Sequence, residues 1–319
     1  MSPVELVQRL PLSANLGKGA KRITIKQVDA FTEVPLTGNP AGVVLNADGL
    51  TDQQMQTIAR EMYVPETAFV LPATTPSADV RIRWFSPQTE VPLCGHATIA
   101  SFHALAEEQM FGMAEIGTYN FNVETQSGIL PVTVQKSLGG IDVLFGLNVP
   151  EFTRAGQYKL DVVRILNITL EEFENRRPIV MTDYLYVPIR RLHSIFAMKP
   201  NYFAMSQFLT NRNLRGLCVF TTETVDRKSA VHSRFFAPTL GINEDPVTGS
   251  ANGPLGAYLF QQGDINSTGE TLTIIGEQGD AIGRKGRVLI QLSLRGTDVT
   301  AVRIGGRAIT VLDGAMIVS

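Results

Sequence analysis

The sequence predicts an α+β fold built as two pseudo-symmetric lobes with a cleft between them. Three observations lead there. Short β-rich runs dominate the chain, punctuated by 28 glycines and 17 prolines in 319 residues. Only a few segments carry apolar residues at helical spacing. The same order of elements then returns about 150 residues later, as Arg83 is answered by Arg234 and Gly95 by Gly249.

The elements follow in order. Residues 1–20 have no uninterrupted apolar core and no small-residue cleavage site, so they are not a secretory signal. Leu6, Leu10, Leu12 and Leu16 with Arg9, Lys18, Lys21 and Arg22 sketch a weak transit peptide; a disordered extension is the reading preferred over it. Residues 23–31 alternate as a strand, with Ile23, Ile25 and Gln27 on one face and Thr24, Lys26 and Val28 on the other. Thr51 can cap a helix opening at Asp52, and Met55, Ile58, Ala59 and Met62 give it a core-facing stripe. Strands are expected at 66–71 and 79–85, and a second helix at 95–108.

The second half repeats this. A helix-like segment at 206–209 follows Met205 as 56–59 follows Met55, and strands at 217–221 and 230–236 answer 68–72 and 80–85. Arg83-Trp84-Phe85-Ser86-Pro87 is echoed by Arg234-Phe235-Phe236-Ala237-Pro238. Gly95-His96-Ala97-Thr98 is echoed by Gly249-Ser250-Ala251-Asn252. The expected division is an extension at 1–20, a first lobe at 21–148 and a second at 149–319, with the last strand free to pack back on the first. Gly276, Gly279, Gly283 and Gly286 read as a glycine-rich hairpin turn.

Composition excludes several classes. The chain is 44% hydrophobic and 18% charged with a formal net charge of -2, and no dense Lys/Arg run appears. Neither a nucleic acid nor a membrane is an expected partner. No stretch approaches the roughly 20 apolar residues that span a bilayer. Two cysteines, Cys94 and Cys218, are too few for a disulfide framework or a thiolate cage, which fits a reducing, cytoplasmic setting. His96, His103, His193 and His232 show no metal-ligand spacing, and no nucleotide-binding glycine motif is present. Neither a metal nor a cofactor is expected.

Chemistry concentrates at two turns. Pro92-Leu93-Cys94-Gly95-His96 places a thiol and an imidazole beside one helix start, and Glu244-Asp245-Pro246-Val247-Thr248-Gly249-Ser250 places carboxylates and hydroxyls beside its repeat. Free amides at helix starts attract anions, so two facing a cleft would grip a substrate carboxylate. Thr248 and Ser250 also read as plain helix caps. Glu66 stands directly before an apolar strand, where partial desolvation would raise its pKa toward values useful for proton transfer; it also reads as a solvated strand entrance. His96 can position a substrate or share the proton, or serve as a structural donor. Asp245 can orient a hydroxyl or amine, or cap its own turn before Pro246. A two-thiol racemase needs a cysteine at both turns, and Cys94 has Thr248 as its repeat partner. Cys218 falls inside a strand, where a buried, inert thiol is expected.

Over residues 22–315 the chain resembles the PhzF family of phenazine-biosynthesis-like proteins, which has the diaminopimelate epimerase fold. The resemblance rests on Asp29-Ala30-Phe31-Thr32, Gly38-Asn39-Pro40-Ala41, Pro65-Glu66-Thr67-Ala68-Phe69, Arg83-Trp84-Phe85-Ser86-Pro87 and Leu93-Cys94-Gly95-His96-Ala97-Thr98. It continues with Glu244-Asp245-Pro246-Val247-Thr248-Gly249-Ser250-Ala251, Glu277-Gln278-Gly279, Gly283-Arg284 and Gly305-Gly306-Arg307-Ala308. Residues 150–200 carry little of it, and Lys285-Gly286 follows Arg284 where relatives often have proline. The resemblance implies two lobes, each a β-sheet wrapped around a central helix, and a cofactor-free isomerase that shifts a proton on a small carboxylate such as a dihydro-hydroxyanthranilate or an amino acid. It implies Glu66 as acid/base with His96 and Asp245 beside it, substrate binding at Asn39, Gly95, Gly249 and Ser250, and a possible homodimer. An amino-acid racemase or epimerase of the same fold, and a non-catalytic small-molecule-binding relative, are the alternatives.

Overall fold

The structure, a computed structural model, describes residues 20–319. The extension expected at 1–20 therefore lies, but for Ala20, outside the described residues. In chain order the first half contains β1 (Lys21–Ala30), β2 (Asn39–Val44), α1 (Asp52–Met62), β3 (Glu66–Leu71), β4 (Val80–Phe85), β5 (Glu90–Val91), α2 (Gly95–Glu107), β6 (Gly117–Thr125), β7 (Gly128–Ser137) and β8 (Gly140–Leu147). The second contains β9 (Thr153–Arg154), α3 (Lys159–Leu166), β10 (Val180–Met181), β11 (Tyr184–Pro188), α4 (Leu192–Ala197), α5 (Tyr202–Thr210), β12 (Gly216–Thr221), β13 (Val231–Ala237) and β14 (Ile242–Asp245). It closes with α6 (Gly249–Gln261), β15 (Thr271–Gln278), β16 (Gly286–Arg295), β17 (Asp298–Gly306) and β18 (Ala308–Val318). Among the described residues, no helix is long and apolar enough to cross a membrane.

The strand pairings repeat as the sequence does. In the first half β2 runs parallel to β3, β3 antiparallel to β4, β4 antiparallel to β5 and parallel to β6, and β6, β7 and β8 form a meander. In the second, β11 runs parallel to β12, β12 antiparallel to β13, β13 antiparallel to β14 and parallel to β15, and β15, β16 and β17 form the same meander. The two meanders join edge to edge through β8 and β17, and β18 returns to pair with β1 along its whole length. The expected pseudo-symmetric α+β architecture is the one observed.

Each lobe wraps its sheet around one helix. Residues His96 to Ala106 of α2 are all buried, and α2 packs on β1, β2, β3, β7, β8 and β18. A helix with apolar residues on every face has no solvated side and must sit in a core. In α6 the buried set runs from Gly249 to Leu259 with few gaps, against β15, β16 and β17. Helix α1 instead lies on the outside with one buried stripe, Met55, Ile58 and Ala59. It opens on the expected Thr51 cap, completed as a capping box by Gln54.

The alternation expected in β1 breaks part-way. A register shift between Gln27 and Val28 brings Val28, Asp29 and Ala30 into the core in succession. Lys26 is buried too, its ammonium 2.6 Å from Glu108 and 2.8 Å from Asp313. The loop that follows β1 meets the second lobe, Gly38 donating its amide to the Lys285 carbonyl at 3.0 Å. There Arg284 donates to the carbonyls of Gly38 and Thr37 and to the buried Asp29 carboxylate, at 2.9, 3.0 and 2.9 Å.

The two central helices meet at their first turns. A Cβ at Gly249 would lie 2.3 Å from Ile304 Cδ1 and 2.9 Å from the Phe31 ring; at Gly95 it would lie 3.1 Å from Phe145 and 3.9 Å from the same Ile304 atom. Gly249→Ala should therefore overpack this junction and lower stability by about 1–3 kcal/mol, while Gly95→Ala costs less. Urea denaturation of both variants measures the difference, and equal, negligible losses would refute this packing.

Candidate active site

Cys94 precedes α2 and Thr248 precedes α6, and neither caps its helix through its side chain. In α6 the Ala251 amide returns to the Thr248 carbonyl at 3.2 Å, which leaves the amides before it to another acceptor. Around these two starts the fold assembles the residues singled out from the sequence.

Glu66 is the first residue of β3. The parallel register sets it opposite Ala41, next to the Asn39-Pro40 entry of β2. Its side chain is only 14% exposed, and Oε2 lies 3.3 Å from His96 Nε2. Burial pushes its carboxyl up to about 7, helped by the negative charge of Asp245 and opposed by a hydrogen bond with Cys94. Burial also pulls His96 down to about 4, partly offset by a hydrogen bond to the Pro40 backbone. The contact is therefore a carboxyl against a neutral imidazole and not an ion pair.

Asp245 ends β14 and takes its place from both halves of the chain. Asn39 Nδ2 donates to Asp245 Oδ1 at 2.8 Å and to the Val247 carbonyl at 2.9 Å. Thr248 Oγ1 donates to the other carboxylate oxygen, so Asp245 also closes its own turn. Burial raises Asp245 to about 6, against the hydrogen bonds from Thr248 and Asn39. Behind it, Gln278 Nε2 donates to the Asp245 carbonyl at 2.8 Å and to Thr248 Oγ1 at 3.1 Å. Gln278 Oε1 accepts from the Thr248 amide at 3.0 Å and from Asn252 at 2.8 Å. Ser250 stands in the first turn of α6 with its Oγ 3.1 Å from the Tyr184 hydroxyl.

Glu66, His96, Asp245, Asn39, Gly95, Gly249 and Ser250 thus fall around one junction. Sequence reasoning missed three neighbours. Gln278 lies in a stretch that carries the family resemblance and Asn252 in the repeat echo that opens α6, and neither has a role in the sequence reading; buried amides between a carboxylate and a helix start are the signal they offer. Tyr184 lies where the resemblance is thin. Cys94 is also part of the site, its Sγ 3.4 Å from His96 Nδ1. Burial and the Glu66 charge push its thiol well up. Cys218 is fully buried, as expected.

Ligand atoms of Glu66, Cys94 and His96 lie within 4.8 Å of one another, as do those of His232, Glu277 and Asp280. In the first group the raised carboxyl and thiol hold protons that a metal would have to displace. In the second the Glu277 carboxylate already accepts from the Val225 amide at 2.9 Å and the Asp226 amide at 2.6 Å, and contacts His232 at 2.9 Å. Neither donor set favours a resident ion.

The two-lobed chain is an isomerase by its family and relatives. A model of the PhzC-PhzF family, described as phenazine biosynthesis-like protein, matches residues 28–314, and the chain belongs to that family. It is 37% identical to an uncharacterized isomerase of Clostridium acetobutylicum, over 94% of this chain and 99% of that protein. It is 29% identical to the trans-2,3-dihydro-3-hydroxyanthranilate isomerase of Pseudomonas chlororaphis, over 91% and 98%. Among solved structures, a PhzF family protein of Bacillus anthracis superposes with a TM-score of 0.82 at 33% identity, covering 93% of this chain and 99% of that one.

A carboxyl whose pKa rises on folding adds stability below its unfolded value of 4.5, and that stability is lost as pH climbs through about 7. Glu66→Gln removes the titration. The variant should match the parent near pH 4 and exceed it above pH 8 by about 3 kcal/mol. Denaturant unfolding at the two pH values checks this, and a constant difference between them would contradict a raised Glu66.

Proposed function

We propose that this chain is a cofactor-independent isomerase that moves a proton between two carbons of a small carboxylate-bearing substrate, with Glu66 as the acid/base. The substrate class is a dihydro-hydroxyanthranilate-like ring or an amino acid. The observation that carries the reading is the Glu66 carboxyl, buried against a neutral His96 and poised near 7. A group titrating near the working pH supplies both the base and the acid form.

In the forward step the Glu66 carboxylate takes a proton from one carbon, and the C–H electron pair enters the substrate's unsaturated system. The resulting carboxylic acid returns the proton to a second carbon on the same face, which regenerates the carboxylate and leaves a shifted double bond. His96 holds Glu66 and the substrate, and Asp245, fixed by Asn39 and Thr248, orients a substrate hydroxyl or amine. The substrate carboxylate sits at the first turns of α2 and α6, on the amides of Gly95, Gly249 and Ser250, with Asn39 bridging the lobes 21–148 and 149–319. Anions gain roughly 0.3–2 kcal/mol at such helix ends. The named activity of the Pseudomonas chlororaphis relative supports a proton shift of this kind.

Cys94 has no counterpart thiol, and its protonated state makes it a poor base; this disfavours the two-base racemase. Solvent-deuterium incorporation into cyclic and acyclic amino acids tests the reading: label with altered double-bond position supports it, label with inversion supports the racemase, and no label supports a non-catalytic relative. Glu66→Gln should slow exchange by about 10²–10⁴-fold with affinity within a few-fold of the parent, and Cys94→Ala should keep most of it. Normal exchange by Glu66→Gln would move the proton to another group, and loss in Cys94→Ala with inversion of configuration would revive the racemase.

A further inference from the structure

Ser250 is placed by a stack of residues that the isomerase reading leaves unused. Gly216, at the start of β12, has no side chain where a Cβ would lie 2.4 Å from the Phe235 ring. Phe235 fills that space and packs edge-on against Tyr184, with ring centroids 4.9 Å apart at 80°. Tyr184 in turn sets its hydroxyl 3.1 Å from Ser250 Oγ. On β13, Phe235 also pairs with Asp245. The ring that orients Tyr184 is therefore tied to the same ladder as the site carboxylate.

We propose that Tyr184 is a positioning residue for the carboxylate subsite, donating its phenolic proton to Ser250 Oγ so that the Ser250 hydroxyl is left to donate to the ligand. The inference rests on the carboxylate reading of Gly249 and Ser250. A serine hydroxyl has one proton. A bound carboxylate only accepts, so Ser250 can serve it only if the neighbouring hydroxyl supplies the proton between them. The phenol is the stronger donor of the two, and a donor chain ending on an anion is reinforced along its length. A ligand presenting an amine at this position would gain nothing from the chain, because the amine brings its own protons. Tyr184 thereby selects acceptor groups over donor groups, and it lies in the segment where the family resemblance is weakest.

The test uses the full chain and benzoate as probe, with amide shifts of Gly249 and Ser250 followed by NMR. Tyr184→Phe should weaken benzoate about three- to tenfold, and should have no further effect in a Ser250→Ala background. Site-specific 3-fluorotyrosine at 184, a more acidic phenol on the same ring, should tighten benzoate binding and leaves packing intact should Tyr184→Phe fold poorly. Benzoate binding unchanged by Tyr184→Phe, additive effects of the two substitutions, or weaker binding with the fluorinated ring would each overturn the proposal while leaving the carboxylate subsite standing. Absence of any benzoate-dependent shift at Gly249 and Ser250 in the parent would overturn the subsite itself.

Discussion

Two helices buried on every side can bring their first turns together only where neither carries a side chain at the contact. That constraint falls on Gly95 and Gly249, which meet across one Ile304 side chain. Everything polar in the site follows from it. With the helix starts this close, the residues preceding them converge from both halves, and so do the strand ends at Asn39 and Glu66. A carboxyl delivered there loses water on most sides and, among the described residues, pairs with no Lys or Arg in return. Such a group takes up a proton more readily than it would in solution, which is the property the proposed chemistry needs.

The same junction explains why so many buried amides surround the acids. Asn39, Asn252 and Gln278 are fully or almost fully buried. An unpaired polar group at such a place costs more than a hydrogen bond returns. Gln278 bonds Asn252, Thr248 and the Asp245 carbonyl, which runs one network from Asp245 to α6, while Asn39 holds Asp245 and Val247 from the other half. Asp245 is thus held by partners that lower its pKa, while Glu66 has little beyond His96 and Cys94. The two carboxyls differ in support, and the proposed chemistry uses the less supported one.

Much of this was legible in the sequence, because the repeat is local in character. Turn motifs such as Arg83-Trp84-Phe85-Ser86-Pro87 and Arg234-Phe235-Phe236-Ala237-Pro238 mark matching strand ends, and a glycine after each marks a helix. Those signals concern backbone conformation, which neighbouring residues largely decide. The misses are of another kind. The bulge at Gln27/Val28 depends on the partner strand β18, almost the whole chain away. The burial of Lys26 depends on Glu108 and Asp313, and the place of Tyr184 depends on Gly216 leaving room for Phe235. No short window contains those pairs. Sequence excludes Cys94 as one of a thiol pair but gives no sign that it neighbours Glu66, a contact that depends on β3 and the start of α2 coming together.

The pairing of β1 with β18 has a consequence for how the protein is made. Its register joins Lys21 to Val318 and Ala30 to Ala308, contacts that span nearly the full length of the chain. Closing so large a loop is entropically late, and folds rich in such contacts are slow to form. During synthesis β1 has one edge open and acquires that partner only when β18, nearly 300 residues on, leaves the ribosome. Until then the Asn39 and Glu66 side of the site rests on an unfinished sheet. Biogenesis rather than chemistry is where this architecture is most exposed, since a nascent strand with a free edge invites pairing with another chain.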